Sequence, residues 1–174
     1  MRLLLESLLK YSTLTNQQIN FGEVNLGKVF DKVLDELKAK LKENNVQIQI
    51  IGNPPLIEAD PILVSELLKT LICNAVRFRY PNLGLEIKIE ISTSHDLVKI
   101  EVEDNGIGFA SDNADAIFQQ FKKYNKAEEY NGIAVGLSFC KIICDKHSGS
   151  LSAKSAEANG STFTVILPLK ILPK

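Results

Sequence analysis

Apolar residues recur along this chain with two periods, and the switches between them outline its elements. Leu4, Leu5, Leu8, Leu9 and Ser12 repeat at helical spacing, so residues 2–13 read as a short amphipathic helix. Its stripe suits either docking onto the chain's own core or a partner that lies elsewhere. The polar TNQQIN follows as a linker. FGEVNL is short and extended, and Asn25 is placed to cap a helix whose face is marked by Val29, Phe30, Val33, Leu34, Leu37 and Leu41. That helix ends near Asn44 and Asn45. VQIQII alternates as a half-buried strand, GNPP turns, and Leu56 to Ala59 forms a brief strand.

Asp60 caps a second helix with Pro61 at its first position. Leu63, Leu67, Leu68, Leu71, Ile72, Ala75 and Val76 form its apolar side, and RYPNLG closes it. LEIKIEIST and LVKIEVE alternate as adjacent antiparallel strands around the turn SHD. DNGIGF reads as a turn, Ala114 to Phe121 as a short helix, and KKYNKAEEYNG as a polar loop. Leu137 to His147 is the third long helix. SLSAKS and STFTVILPL are strands around a turn at Asn159 and Gly160. This succession predicts an α+β fold: a two-layer α/β sandwich whose mixed, mostly antiparallel sheet carries three long helices on one face.

Composition narrows the class. A length of 174 residues fits one well-filled core, and 45% apolar with 24% charged residues is ordinary for a globular chain. A net charge of -1 gives no electrostatic reason to expect nucleic acid as a partner. Cys73, Cys140 and Cys144 lie within apolar helical patterns and read as small buried hydrophobes rather than metal ligands. Their odd number suits a reducing, cytoplasmic setting. No apolar run reaches the roughly 18 residues of a membrane span, and MRLLLESLLKYS lacks a signal-peptide cleavage site.

Three places can carry chemistry. In SELLKTLICNAVRFR, Glu66, Thr70, Asn74 and Arg77 fall on one stripe of an otherwise apolar helix. Asn74 offers a neutral carbonyl oxygen suited to Mg²⁺, and Arg77, one turn on, can meet an anion. In KIEVEDNGIGF, a strand ends at Asp104 and runs into Gly106 and Gly108, whose missing side chains let a ligand approach the backbone. A carboxylate there can accept hydrogen bonds from an exocyclic amine such as that of adenine. In GIAVGL, glycines precede a helix N-terminus, a natural phosphate site, with Lys122, Lys123 and Lys126 nearby. Each also has a plain structural reading: a satisfied buried amide, a hairpin corner, a loop.

Taken in order, these segments resemble the ATP-binding domain of sensor histidine kinases, in the superfamily that includes gyrase, MutL and heat-shock chaperones. LLKTLICNAVRFR resembles the family's N box, DNGIGF its G1 box, IFQQFKK its F box and GIAVGLSFCKIICDKHSGSLSAKS its G2 box with the following helix and strand. GSTFTVILP resembles the closing strand. Asn74 to Arg79 followed by Pro81 is most similar to the phytochrome-related branch. The resemblance implies that Asn74 ligates Mg²⁺, that Arg77 and Lys123 meet phosphate, and that Asp104 binds the adenine amine beside Gly106 and Gly108. Gly132, Gly136 and Leu137 would line the phosphate loop, Phe118 and Phe121 would be F-box aromatics, and Tyr130 a lid aromatic. It further implies residues 1–15 as the end of a dimerisation helix, 16–22 as a linker and 23–174 as the catalytic domain. ATP with Mg²⁺, a histidine-bearing dimerisation domain upstream, a response regulator and a homodimeric intact protein are the implied partners.

The pattern is broken in two places. Thr70 stands where the N box has its first asparagine, and Ile133 and Ala134 replace a threonine and a glycine of the G2 box. If position 134 needs a positive φ, alanine costs on the order of 1–2 kcal/mol. The charge-assisted contact of Asp104 is worth about 1.5–3 kcal/mol. Nucleotide binding is therefore expected to survive in weakened form, with a histidine kinase as the first reading. A module that binds ATP or ADP without phosphotransfer is the second, and a purely structural interaction domain the third. Neither His95, in a hairpin turn, nor His147, at a helix end, stands in a segment like the family's phospho-acceptor helix.

Overall fold

The computed structural model describes residues 12–16, 18–110, 116–118, 136–155 and 159–170. Residues 12–16 are helical, three residues past the expected end at 13; the rest of the segment read as a helix, residues 2–11, lies outside the described residues. Strand β1 (Gly22–Asn25) leads into helix α1 (Leu26–Glu43), whose start is fixed by Asn25 Oδ1 accepting the Lys28 N–H at 3.1 Å. At its other end Asn44 N–H donates to Lys40 O. Strands β2 (Val46–Ile51) and β3 (Leu56–Ala59) follow. Helix α2 (Pro61–Arg77) begins under Asp60, whose Oδ1 accepts the N–H groups of Ile62 and Leu63 at 3.0 and 3.1 Å. Proline at the first position has no N–H to leave unpaired.

Strands β4 (Leu85–Ser94) and β5 (Leu97–Asp104) form the expected hairpin, with His95 at a left-handed φ of 53° in its turn. A 3-10 turn at Ala116–Phe118 is the described part of the short helix read at 114–121. Helix α3 (Gly136–Lys146) and strands β6 (Ser150–Ser155) and β7 (Ser161–Pro168) complete the described chain. The order β2-β4-β5-β7-β6 gives a five-stranded sheet that is antiparallel except for the β2–β4 pair, while β1 and β3 pair separately. Helices pack on one face, so the architecture is the α+β sandwich that the periodicities predict.

Inward positions follow the period of two: Leu85, Ile87, Ile89 and Ile91 on β4 are all buried. The opposite face is charged, with Lys88–Glu90 and Lys99–Glu101 pairs in the open. His147 closes α3 and is 1% exposed. Its Nε2 accepts the Asp60 N–H at 3.0 Å, and Nδ1 lies 2.7 Å from Ile143 O. An acceptor Nε2 and a carbonyl facing Nδ1 require the neutral ring with its proton on Nδ1. The edge of Phe21 meets that ring at 5.5 Å, and Asn20 N–H donates to Asp60 Oδ2, which ties residues 20 and 21 to the start of α2 and the end of α3. Cys140 and Cys144 are buried, and burial pushes both thiols up, Cys144 to about 12. Among the described residues no helix is long and apolar enough to cross a membrane.

Candidate nucleotide site

The α2 stripe sits at the edge of the core. Glu66, Thr70, Asn74 and Arg77 are half-buried, whereas their neighbours Leu67, Leu71, Ala75 and Val76 are buried. Helix α3 begins against this stripe: a Cβ on Gly136 would stand 3.1 Å from Thr70 Cγ2. One turn on, the buried Cys140 thiol donates to Leu67 O at 3.9 Å, with the Thr70 hydroxyl beside it. Thr70 therefore works as a helix-to-helix contact, which gives the altered N-box position a structural use.

The C-terminal end of α2 is bonded to the turn after β5. Phe78 N–H donates to Asn74 O at 3.0 Å, and Phe78 O accepts the Ile107 N–H at 2.9 Å. Two hydrogen bonds thus lead from the residue expected to hold a cation to the turn that follows the residue expected to hold a base. Arg77 lies over the Phe78 ring, 5.4 Å from its centroid. Gly106 leaves no room for a side chain, since a Cβ there would stand 2.6 Å from Phe78 O and 2.7 Å from Asp104 Oδ1. Gly108 takes a left-handed φ of 65°. Asn105 holds the base of the turn, accepting Glu86 N–H through Oδ1 and donating to Gly84 O through Nδ2.

Asp104 occupies the last inward position of β5, in line with Val98, Ile100 and Val102, and is 5% exposed. Its Oδ1 accepts the Gly106 N–H at 2.8 Å and its Oδ2 the Ser161 hydroxyl at 2.5 Å. Burial raises its pKa; the Ser161 hydroxyl, followed by the Gly106 and Ser161 N–H groups, opposes that shift without cancelling it. A carboxylate has about four acceptor positions, so this one keeps capacity for a further donor at the end of the sheet. An amine reaching it makes a charge-assisted hydrogen bond shielded from bulk water.

Of the residues singled out from sequence, Asn74 and Arg77 stand on α2, Asp104 ends β5, and Gly106 and Gly108 stand on the turn that follows it and is bonded to the end of α2. Gly136 and Leu137 open α3 beside Thr70. Phe118 packs half-buried against the core. Lys122, Lys123, Lys126, Phe121, Tyr130, Gly132, Ile133 and Ala134 lie outside the described residues. Sequence reasoning missed Ser161. The signal was available: STFTVILP alternates so that Ser161 falls inward with Phe163, Val165 and Leu167, a polar group where the period demands an apolar one.

Residues 59–171 match the family described as histidine kinase-, DNA gyrase B-, and HSP90-like ATPase. Over 169 residues the chain is 30% identical to the phytochrome-like protein Cph1 of Synechocystis sp., covering 97% of this chain and 22% of Cph1. It is 25% identical to the sensor protein kinase WalK of Staphylococcus saprophyticus, covering 97% of this chain and 28% of WalK. The chain thus spans less than a third of the length of these relatives. The catalytic domain of the histidine kinase ThkA superposes with a TM-score of 0.75 at 25% identity, over 87% of this chain and 97% of that one.

Proposed function

The chain belongs to the histidine kinase-, DNA gyrase B- and HSP90-like ATPase family, and we propose that it is the catalytic domain, residues 23–174, of a sensor histidine kinase. Residues 1–15 then end a dimerisation helix and 16–22 link the two. In the intact homodimer on the cytoplasmic side, ATP held with Mg²⁺ supplies its γ-phosphoryl group to a histidine of a preceding domain, and a response regulator receives it afterwards.

The described site residues take roles consistent with their surroundings. Asp104 accepts the adenine amine, because it is a buried carboxylate with acceptor capacity to spare. Gly106 and Gly108 keep side chains out of the space next to it. The Asn74 amide oxygen is a hard neutral ligand for Mg²⁺ on the half-buried stripe. Arg77 neutralises phosphate charge, and Gly136 and Leu137 stand at the start of α3, where free N–H groups suit a phosphate; Lys123 and Gly132, which lie outside the described residues, are given their phosphate roles by the family resemblance alone. The acceptor histidine is itself the nucleophile, so the domain's part is position and charge neutralisation. His147 is no phospho-acceptor candidate, since it is buried with both ring nitrogens engaged.

One observation carries the reading: the buried, serine-held carboxylate of Asp104 ends a strand whose following turn is bonded to the helix end bearing Asn74. Calorimetry with Mg-ADP tests it. Wild type binds and Asp104→Ala loses most of that affinity; absence of binding by wild type sinks the proposal. Radiolabelled ATP, offered with the intact upstream helical domain, then tests transfer. Phosphohistidine supports the kinase, and its absence despite ADP binding leaves a nucleotide-binding module.

A further inference from the structure

A third polar residue stands in the row of Asp104 and Ser161. The register pairs Asp104 with Ser161 and Ser161 with Ser155, so the three lie side by side at one level of β5, β7 and β6. All three are at inward positions of their strands, and the remaining inward positions on those strands are apolar. A polar row across the end of an apolar face must be hydrogen-bonded to be tolerated.

The Ser155 hydroxyl is used in both directions. It accepts the Phe109 N–H at 2.8 Å and donates to Gly160 O at 2.5 Å. Phe109 follows Gly108 at the far end of the turn after Asp104, and its ring packs against Phe163 at 6.4 Å. Gly160 immediately precedes Ser161. One hydroxyl therefore joins the exit of the glycine turn to the residue just ahead of the serine that holds Asp104. Gly160 has little freedom to move away, for its φ is 71° and a Cβ on it would stand 1.9 Å from Asp104 O.

The turn is held at successive points by different elements: Asn105 by Glu86 on β4, Ile107 by Phe78 after α2, and Phe109 by Ser155 on β6. The first two fix it to the sheet and to the helix that carries Asn74. Only the third couples it to the β6–β7 hairpin, and the hairpin is where the Asp104 partner originates.

We propose that Ser155 is a positioning residue of the nucleotide site, setting the Asp104–Ser161 pair by tying the glycine turn to the β6–β7 hairpin without touching the nucleotide itself. This rests on the reading that Asp104 takes the adenine amine. Alanine at 155 leaves Phe109 N–H and Gly160 O without this partner, and Ser161 then reaches Asp104 less steadily.

The test is calorimetry of Mg-ADP binding to the full chain as wild type, Ser155→Ala and Ser155→Thr, repeated across pH. Ser155→Ala weakens binding roughly tenfold, the upper end of what a neutral hydrogen bond is worth, and raises the pH at which acidification abolishes binding. Ser155→Thr keeps the hydroxyl and stays within about threefold of wild type. Unchanged ADP affinity and pH profile in Ser155→Ala, with only a lower melting temperature, overturn the proposal. If that variant does not fold, Ser155→Cys replaces it under the same expectations, its thiol filling similar space with weaker hydrogen bonds. Failure of wild type to bind Mg-ADP is a different result; it overturns the nucleotide reading and this inference with it.

Discussion

Asp104 and Ser161 are register partners at the end of β5 and β7, and the serine hydroxyl donates to Oδ2 of the aspartate at 2.5 Å. A carboxylate in this apolar setting is tolerated because the neighbouring strand delivers a donor to it at the same level. Hydrogen bonds to charged groups are worth about 1.5–3 kcal/mol. Ser161→Ala therefore weakens Mg-ADP binding about tenfold or more. An affinity equal to wild type, measured by calorimetry, contradicts the role given to Asp104.

The raised pKa of Asp104 produces opposite pH trends in stability and binding. Its folded-state pKa lies above the ordinary 3.8, so within that window the folded protein holds more proton than the unfolded chain. Stability from this group consequently falls as pH rises through the window. Nucleotide affinity follows the ionised form and rises over the same range. Denaturant unfolding and ADP titration at matched pH values check this pair, and Asp104→Asn removes both slopes. Parallel trends would count against the assignment.

Gly106→Ala places a methyl 2.6 Å from Phe78 O and 2.7 Å from Asp104 Oδ1. Both neighbours are held, the first by Ile107 N–H and the Asp104 carboxylate through its other oxygen by Ser161, so neither yields easily. The expected loss of stability is about 1–3 kcal/mol, with weaker ADP binding because the turn and carboxylate separate. Urea unfolding with and without ADP measures the two effects.

Asn74→Ala is expected to leave the fold intact, because the side chain is half-buried and its helix is anchored by Leu67, Leu71 and Val76. What changes is the dependence on divalent cation. In wild type Mg²⁺ strengthens ADP binding, and in the variant the two affinities converge. A full Mg²⁺ effect in the variant would remove Asn74 from the metal site.

His147→Leu tests the distant end of α3. It leaves the buried Asp60 N–H without its acceptor, a cost of about 1–3 kcal/mol, and takes away the ring that Phe21 packs against. Thermal unfolding registers this loss. Phosphotransfer chemistry, by contrast, does not require an imidazole here, so nucleotide binding by the folded fraction is retained.

Much of this molecule is legible in its residue order, and the reasons are local. Asn25 and Asp60 announce helix starts because capping needs only a side-chain oxygen next to the first free N–H groups. The alternation in LVKIEVED points Asp104 inward because a strand repeats every two residues. Four boxes in order place Asn74, Asp104 and the glycines within a family before any coordinates exist. What the chain's order could not supply is which strands lie side by side beyond the two hairpins. The parallel β2–β4 pair, in which Val46 meets Leu85, and the interposition of β7 between β5 and β6, which brings Ser161 to Asp104 and lays Ser155 in the same row, arise from contacts between residues far apart in the chain. Thr70 shows the same division: sequence marks it as a departure from the N box, and only packing against Gly136 and Cys140 gives it a purpose. Periodicity and caps depend on neighbours along the chain, whereas a buried charge depends on whichever strand the whole fold lays beside it.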